Sequence, residues 1–250
     1  MSENKPIHVV GLNGSPHRTG NTVTLMGWVL DGCAASGTQI EWLHLVDYDI
    51  HYCQGCFTCL RTGACPIKDD FLTFRANLLA ADGIVAGSPV YEGGPSAQLK
   101  TFLDRLTLLN LYTNLFERQH SVGVATSGIA PTEDVAKRIA FILGRPAGTI
   151  GAKTSTPAHG YRSLATAHDP RLPEKARALG QCLVANIRQP KRFRFPSREY
   201  LIYLLCQRAF LQPMVLNNPD QFAGVLRIWE AQGKLPPNWN KQSPRMIGGV

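Results

Sequence analysis

The stretch that decides the architecture is IHVVGLNGSPHRTGNT, residues 7–22. Residues 7–12 are an uninterrupted apolar run with β-branched side chains. A run without polar alternation reads as a strand covered on both faces, the signature of a parallel sheet flanked by helices. It breaks at Asn13-Gly14-Ser15-Pro16, a turn-forming string. Asn21-Thr22 then opens a segment with Leu25, Trp28, Val29 and Cys33 at helical spacing.

The same alternation continues outward. Further strands are expected at residues 39–45, 83–90, 121–125 and, with a weaker pattern, 149–155. Asp69 and Asp70 supply carboxylates suited to a helix start, ahead of Phe71, Phe74, Leu78 and Leu79 on one face. Pro95-Ser96 opens a helix striped by Leu99, Phe102, Leu103 and Leu106, and two more helices are expected at residues 132–143 and 173–188. Repeated strand–helix alternation argues for an α/β sandwich with right-handed crossovers, although periodicity leaves the strand order open. After Gln189 the composition turns Pro- and Arg-rich, and helices are expected at residues 199–210 and 220–232 before a tail rich in Pro, Asn and Gly. The expected division is an α/β domain over residues 1–188 and a helical C-terminal extension over residues 189–250.

The chain has 250 residues, 44% hydrophobic and 18% charged, enough to bury a core of useful size. The net charge of +8 is concentrated at Arg188, Lys191, Arg192, Arg194 and Arg198, which read either as a solvated linker or as a surface for an acidic partner or a phosphorylated cosubstrate. No zinc-finger spacing, RNA-binding aromatic motif or DNA-reading helix accompanies this charge, so no nucleic-acid partner is expected. The N-terminus shows no apolar signal region, and the longest apolar stretches are too short to span a bilayer. A cytoplasmic location without membrane association is therefore expected, in which the seven cysteines remain thiols or metal ligands.

Ligands of open parallel sheets sit beyond the carboxyl ends of the strands. In the loop at residues 11–22, the helix N-terminus offers amides to a phosphate, Gly14 and Gly20 allow close approach, Ser15, Thr19, Asn21 and Thr22 add polar groups, and Arg18 adds charge. The loop lacks the Gly-Lys-Ser/Thr of a P-loop and the spacing of a dinucleotide fingerprint, which makes a monophosphate the simpler guest. The competing reading is a polar turn that caps its own helix. In the loop at residues 87–96, Pro89 and Tyr91 offer rigid apolar surface to a flat ring, while Gly93 and Gly94 let backbone amides approach its polar edge. Thr126-Ser127-Gly128 forms a third, shorter loop that serves equally well as a plain turn.

Cys53, Cys56, Cys59 and Cys65 follow the spacing Cys-x2-Cys-x2-Cys-x5-Cys. A 4Fe–4S cluster requires four thiolates, and one short segment supplies them with little closure entropy. Zinc is a rival, although structural zinc sites favour two separated knuckles. A redox dithiol is another, because Cys53–Cys56 and Cys56–Cys59 are both Cys-x-x-Cys pairs. Cys33, Cys182 and Cys206 stand singly at helical positions and are expected to be buried and inert.

GLNGSPHRTGNT and GSPVYEGGPSAQLKTFLDR resemble the phosphate loop and the ring loop of the NADPH-dependent FMN reductase family, and the resemblance extends over roughly residues 7–187. It implies a flavodoxin-like, doubly wound, five-stranded parallel sheet. It further implies FMN held at its phosphate by Ser15, Arg18, Asn21 and Thr22, and at its ring by Pro89, Val90, Tyr91, Glu92 and Gly93 together with Thr126, Ser127 and Gly128. Glu92 departs from the pattern, since relatives often carry an aromatic there. Near the ring its carboxylate would disfavour an anionic reduced flavin; the alternative is that it points to solvent. Lys100, Asp104 and Arg105 belong to the motif and are expected at the helix surface or an interface.

The cysteine segment resembles that of the iron–sulfur flavoproteins, a branch of the same family in which the matching positions Cys53, Cys56, Cys59 and Cys65 would bind a 4Fe–4S cluster near FMN. The loop is expected to overhang the ring. The implied activity is electron transfer from NAD(P)H or a ferredoxin-like donor to a small acceptor such as a quinone or flavin; the alternative is a carrier with no substrate of its own. The cofactor supplies the chemistry, so no side chain is expected as acid or base. A homodimer or homotetramer is implied. The C-terminal Tyr200, Leu204, Phe222, Leu226 and Trp229 would either cover a neighbour's flavin or pack on their own domain.

Overall fold

The structure is a computed structural model that describes residues 6–154, 164, 169–189, 202, 203, 205–237 and 239. In chain order the elements are β1 (His8–Asn13), α1 (Asn21–Ala34), β2 (Gln39–His44), α2 (Thr58–Thr62), α3 (Phe71–Ala80), β3 (Gly83–Tyr91), β4 (Gly94–Pro95), α4 (Ala97–Thr113), β5 (His120–Ser127), α5 (Glu133–Ile142), β6 (Arg145–Lys153), α6 (Leu172–Arg188), α7 (Gln212–Asn217) and α8 (Ala223–Ala231). They fall into two compact units. The first comprises Met1–Tyr52, Asp69–Leu103 and Phe116–Pro190; the second comprises Cys53–Lys68, Asp104–Leu115 and Lys191–Val250.

The first unit is built on a sheet of order β2-β1-β3-β5-β6, with every neighbouring pair parallel. This is the doubly wound flavodoxin-like order, and the connections reverse direction between β1 and β3. The central strands are those without polar alternation: Val9, Val10, Leu12, Ile84, Val85, Val122 and Val124 are fully buried. The added β4 pairs antiparallel with the end of β3, through Val90 opposite Pro95 and Tyr91 opposite Gly94.

The fifth parallel strand, expected at residues 149–155, runs instead over Arg145–Lys153. It is an edge strand, where the missing N–H of Pro146 costs no ladder bond on the open side. A register irregularity at Ser121/Val122 adjusts β5 to it. Its half-exposed residues blurred the apolar signal.

On one face α1 and α6 lie backbone to backbone. A Cβ at Gly180 would stand 1.9 Å from the Val29 carbonyl oxygen, so only glycine permits that approach. Cys33 lies in this seam, its Sγ donating to the Gly180 carbonyl at 3.4 Å, and burial pushes its thiol up to about 12. Cys33 is thus the inert thiol expected. Cys182 and Cys206 are not: both are exposed, because each occupies the solvent side of its helix. Elsewhere in the unit Phe71, Phe74 and Phe102 form an aromatic core, with Phe74 edge-on to Phe102 at 4.8 Å.

The second unit gathers Leu60 of α2, Leu109 of α4, Val215 and Leu216 of α7, and Val225 and Trp229 of α8 into its own core. The Trp229 indole donates to the Tyr112 carbonyl at 2.9 Å, and Arg227 donates to the Thr62 carbonyl at 2.8 Å. Phe222, Leu226 and Trp229 therefore pack on their own chain. Tyr200 and Leu204, like Lys191, Arg192, Arg194 and Arg198, lie outside the described residues. Among the described residues no helix is long and apolar enough to cross a membrane.

Candidate functional site

The ends of β1, β3 and β5 bring the three suspected loops to one edge of the sheet, at the β1/β3 reversal where such folds bind ligands. The loop after β1 is braced from below by Asn13, which is fully buried. Its Oδ1 accepts from the Ser15 N–H at 2.9 Å, and its Nδ2 donates to the His17 carbonyl at 2.9 Å and to His44 Nδ1 at 3.0 Å. His44 stacks on Trp42 of the same strand. Neither Asn13 nor His44 stood out among the sequence candidates. The only signal was an Asn-Gly step closing a strand.

Gly14 is the point of closest approach. Its N–H donates to the Gly87 carbonyl at 2.8 Å, and an added Cβ would meet that oxygen and Leu99 Cβ at 2.9 Å. Its own carbonyl accepts from Ser96 Oγ at 2.5 Å and Gln98 Nε2 at 3.1 Å, which ties the first loop to the start of α4. Ser15 is buried and its Oγ accepts from the His17 N–H at 3.2 Å. The first turn of α1 has Gly20 at its cap with φ 129° and ψ −172°, a region open essentially only to glycine, and it has no side-chain cap and no acidic residue. The positive dipole end of such a helix N-terminus favours an anion.

Thr22 is buried, and its hydroxyl meets that of Thr126 at 2.6 Å, which joins the first loop to the third. Asn21 is the first residue of α1. Arg18 is mostly exposed and pairs with Asp47 at 2.5 Å, on the stretch after β2.

In the second loop Pro89 and Val90 are buried in β3, whereas Tyr91 emerges 53% exposed at its end. Glu92 and Gly93 form the two-residue turn into β4, with φ of 47° and 71°. Positive φ at both positions defines the hairpin turn that suits strand twist, and it favours Asn-Gly or Gly-Gly. Glu92 is exposed. Glu92→Gly is expected to stabilise the chain by about 0.5–1 kcal/mol, because it removes a left-handed non-glycine residue; urea unfolding checks this. Ser88, fully buried, locks the loop: its Oγ accepts from the Ser96 N–H at 2.9 Å and donates to the Pro89 carbonyl at 2.7 Å. In the third loop Thr126 and Ser127 are buried and Gly128 is exposed, with Ser127 Oγ accepting from the Ile129 N–H at 3.1 Å.

The cysteine segment belongs to the second unit. All four thiols, of Cys53, Cys56, Cys59 and Cys65, line one small pocket, along with Pro66, Ile67, Leu108 and Arg105. Cys53 and Cys56 are exposed, Cys59 and Cys65 half-buried. Cys59 rides on α2, which Gly63 terminates with φ 77° and an N–H donated back to the Cys59 carbonyl at 2.8 Å. Burial pushes the Cys59 thiol up, and charge on Cys65, Cys53 and Cys56 adds to it, so it senses all three partners. Hydrogen bonds from Thr58 hold Cys56 down. Among the described residues no three of His, Cys, Asp or Glu converge closely enough to hold a metal ion. The four cysteines line one pocket, and four thiolates are the donor set that a 4Fe–4S cluster takes. Arg105, expected at the helix surface or an interface, is buried at 4% exposure, because its position on α4 turns toward this pocket. Lys100 is exposed, as expected.

A parallel sheet of this order, with helix α1 starting at its reversal point, defines a flavodoxin-like fold. Within that class the chain belongs to the NADPH-dependent FMN reductase family, whose model matches residues 7–146. Over 119 residues it is 40% identical to an iron-sulfur flavoprotein of Methanocaldococcus jannaschii, a match covering 48% of this chain and 60% of that protein. Over 232 residues it is 24% identical to an iron-sulfur flavoprotein of Clostridioides difficile, covering 89% of this chain and 97% of that one. The first match thus spans only about three-fifths of the curated relative's length. Among solved structures, a flavone reductase superposes with a TM-score of 0.56 at 16% identity, covering 76% of this chain and 66% of the other, a likeness of fold.

Proposed function

We propose that the chain is an FMN-dependent oxidoreductase that takes electrons from NAD(P)H or a ferredoxin-like donor and delivers them to a small acceptor such as a quinone or flavin. One observation carries this reading: the N-terminus of α1, which no side chain caps, adjoins through Thr22 the Gly14–Gly87 contact, where only glycine fits, at the reversal point of the sheet. FMN, when bound, supplies hydride acceptance and one- or two-electron release.

The chain's own residues bind and orient. The α1 amides with Ser15, Asn21 and Thr22 would hold the phosphate, and Arg18 would join them by exchanging its exposed pairing with Asp47. Exposed ion pairs are weak, so that exchange costs little. Pro89, Val90, Tyr91, Glu92 and Gly93 would border the ring on one side, and Thr126, Ser127 and Gly128 would contribute from the neighbouring strand end. Cys53, Cys56, Cys59 and Cys65 would hold a 4Fe–4S cluster, which when bound supplies one-electron steps. Four cysteines around a single pocket support a shared site, and their spacing, unlike the two separated knuckles of structural zinc sites, supports a cluster over a zinc staple.

The test is anaerobic purification followed by an absorbance spectrum, FMN, iron and zinc analysis, and NAD(P)H oxidation with a quinone or free FMN. Bound FMN with acceptor-dependent NAD(P)H oxidation is expected. Failure to retain or take up FMN at micromolar concentration overturns the assignment, and FMN binding without NAD(P)H oxidation favours a carrier.

A further inference from the structure

We propose that His44 is a positioning residue for the loop after β1, holding it through Asn13 while its ring carries a single proton, so that acid loosens FMN. This rests on the flavin reading above and adds proton control to the same site.

The hydrogen bonds of Asn13 leave one solution. Asn13 is fully buried at the end of β1. Its Oδ1 takes the Ser15 N–H at 2.9 Å, and its Nδ2 reaches the His17 carbonyl at 2.9 Å. A backbone N–H can only donate and a carbonyl can only accept, so the amide is fixed at both ends. The second Nδ2 proton goes to His44 Nδ1 at 3.0 Å. That nitrogen is therefore a bare acceptor, and the ring proton sits on Nε2. Strand register sets Asn13 beside His44, and stacking on Trp42 at 5.6 Å holds the ring.

A second proton on the ring turns Nδ1 into a donor aimed at a donor. Flipping the amide gives no relief, because Nδ2 would then oppose the Ser15 N–H and Oδ1 the His17 carbonyl. The loop must shift instead. The new charge also attracts a phosphate, but the loop at residues 16–20 is exposed, so water and salt screen that attraction. A buried donor left unsatisfied costs more than an ordinary hydrogen bond yields, and the loss prevails. The neighbouring charged groups have partners of their own: Glu41 of β2 pairs with His8, and Asp47 with Arg18. His17 meets Asn13 through its backbone, not its ring. On the face that Trp42 shares with Leu30 of α1, that helix carries only Asp31 and Cys33 as ionisable groups, both in its last turn.

The experiment titrates the full chain with FMN by fluorescence quenching at neutral and at mildly acidic pH. A phosphate monoester itself gains a proton over this range, so wild type and variants share that part of the loss. His44→Gln supplies an acceptor that does not titrate; His44→Phe keeps a stacked ring with neither acceptor nor proton. Wild type is expected to lose about fivefold more affinity in acid than either variant, roughly the worth of one hydrogen bond. At neutral pH His44→Phe is expected to bind about fivefold more weakly than wild type. A folded variant that loses as much affinity in acid as wild type overturns the proposal, and so does His44→Phe binding as wild type does at neutral pH. Unfolding of both variants also overturns it, in favour of a structural role. Wild-type protein that binds FMN at neither pH sinks the flavin reading itself, an outcome distinct from bound FMN indifferent to His44.

Discussion

Gly14→Ala is expected to weaken FMN binding by about tenfold or more, which corresponds to about 1.4 kcal/mol, and to destabilise the chain by about 1–3 kcal/mol through overpacking. The added methyl would stand 2.9 Å from the Gly87 carbonyl oxygen and from Leu99 Cβ, neither of which is the far end of a flexible side chain. Relief requires the first loop to lift from β3. That strains the Gly14 N–H bond to Gly87 and the two bonds its carbonyl accepts from Ser96 and Gln98. Those bonds aim the loop, so the loss falls on binding as well as stability. FMN fluorescence quenching and urea unfolding measure the two effects. Gly27→Ala is the control: it sits within α1 with open space around it, and should raise stability by about 0.5–1 kcal/mol without changing affinity. A Gly14→Ala protein that is destabilised yet binds FMN as wild type does would show that the loop is structural and the phosphate lies elsewhere.

The central strands were legible because burial on both faces leaves an unbroken apolar run, as at residues 7–12 and 83–90. The edge strand β6 was legible only in part, since Arg145, Pro146 and Lys153 face water and erase the pattern. The turn between β3 and β4 was hidden because Glu92 occupies a left-handed position that sequence rules assign to Gly or Asn. The short α2 was hidden inside the cysteine loop. It is five residues long, and its existence depends on Leu60 finding a core shared with α7 and α8, a long-range contact that no local window contains. Strand order was equally out of reach, because pairing is decided between distant segments.

The site divides along the same line. Glycine and hydroxyl residues at strand–helix junctions singled out the first two loops, while the third, Thr126-Ser127-Gly128, read equally well as a plain turn. What joins the loops did not show: Asn13 to His44, Thr22 to Thr126 and Ser96 to Gly14 are pairings that register alone creates. The pairing of Arg18 with Asp47 was likewise invisible. The helical stripe of α4 identified Leu99, Phe102, Leu103 and Leu106 as core, while Arg105 was expected at the helix surface or an interface. Burial of a charge becomes readable only when the pocket that receives it is assembled.

Cys59→Ser tests the second centre independently of the first. Iron content is expected to fall by about tenfold or more, while FMN content stays at the wild-type level because the flavin loops belong to the other unit. Cys59 is the chosen thiol because its charge is coupled to those of Cys65, Cys53 and Cys56 and because α2 fixes its backbone. A serine hydroxyl keeps the shape but does not ionise at neutral pH, so the site loses one anionic ligand and little else. The fold should survive, since the buried Leu60 fills the core beneath α8 and the partly buried Cys59 only packs against it. Cys182→Ser, at an exposed position on α6, is expected to change neither metal nor flavin. Metal analysis and the visible spectrum separate the outcomes. Iron retained in full by Cys59→Ser removes the segment from the cluster assignment. Wild-type protein that carries zinc, or four alkylatable thiols and no metal, replaces the cluster with a staple or a dithiol and leaves the flavin assignment standing.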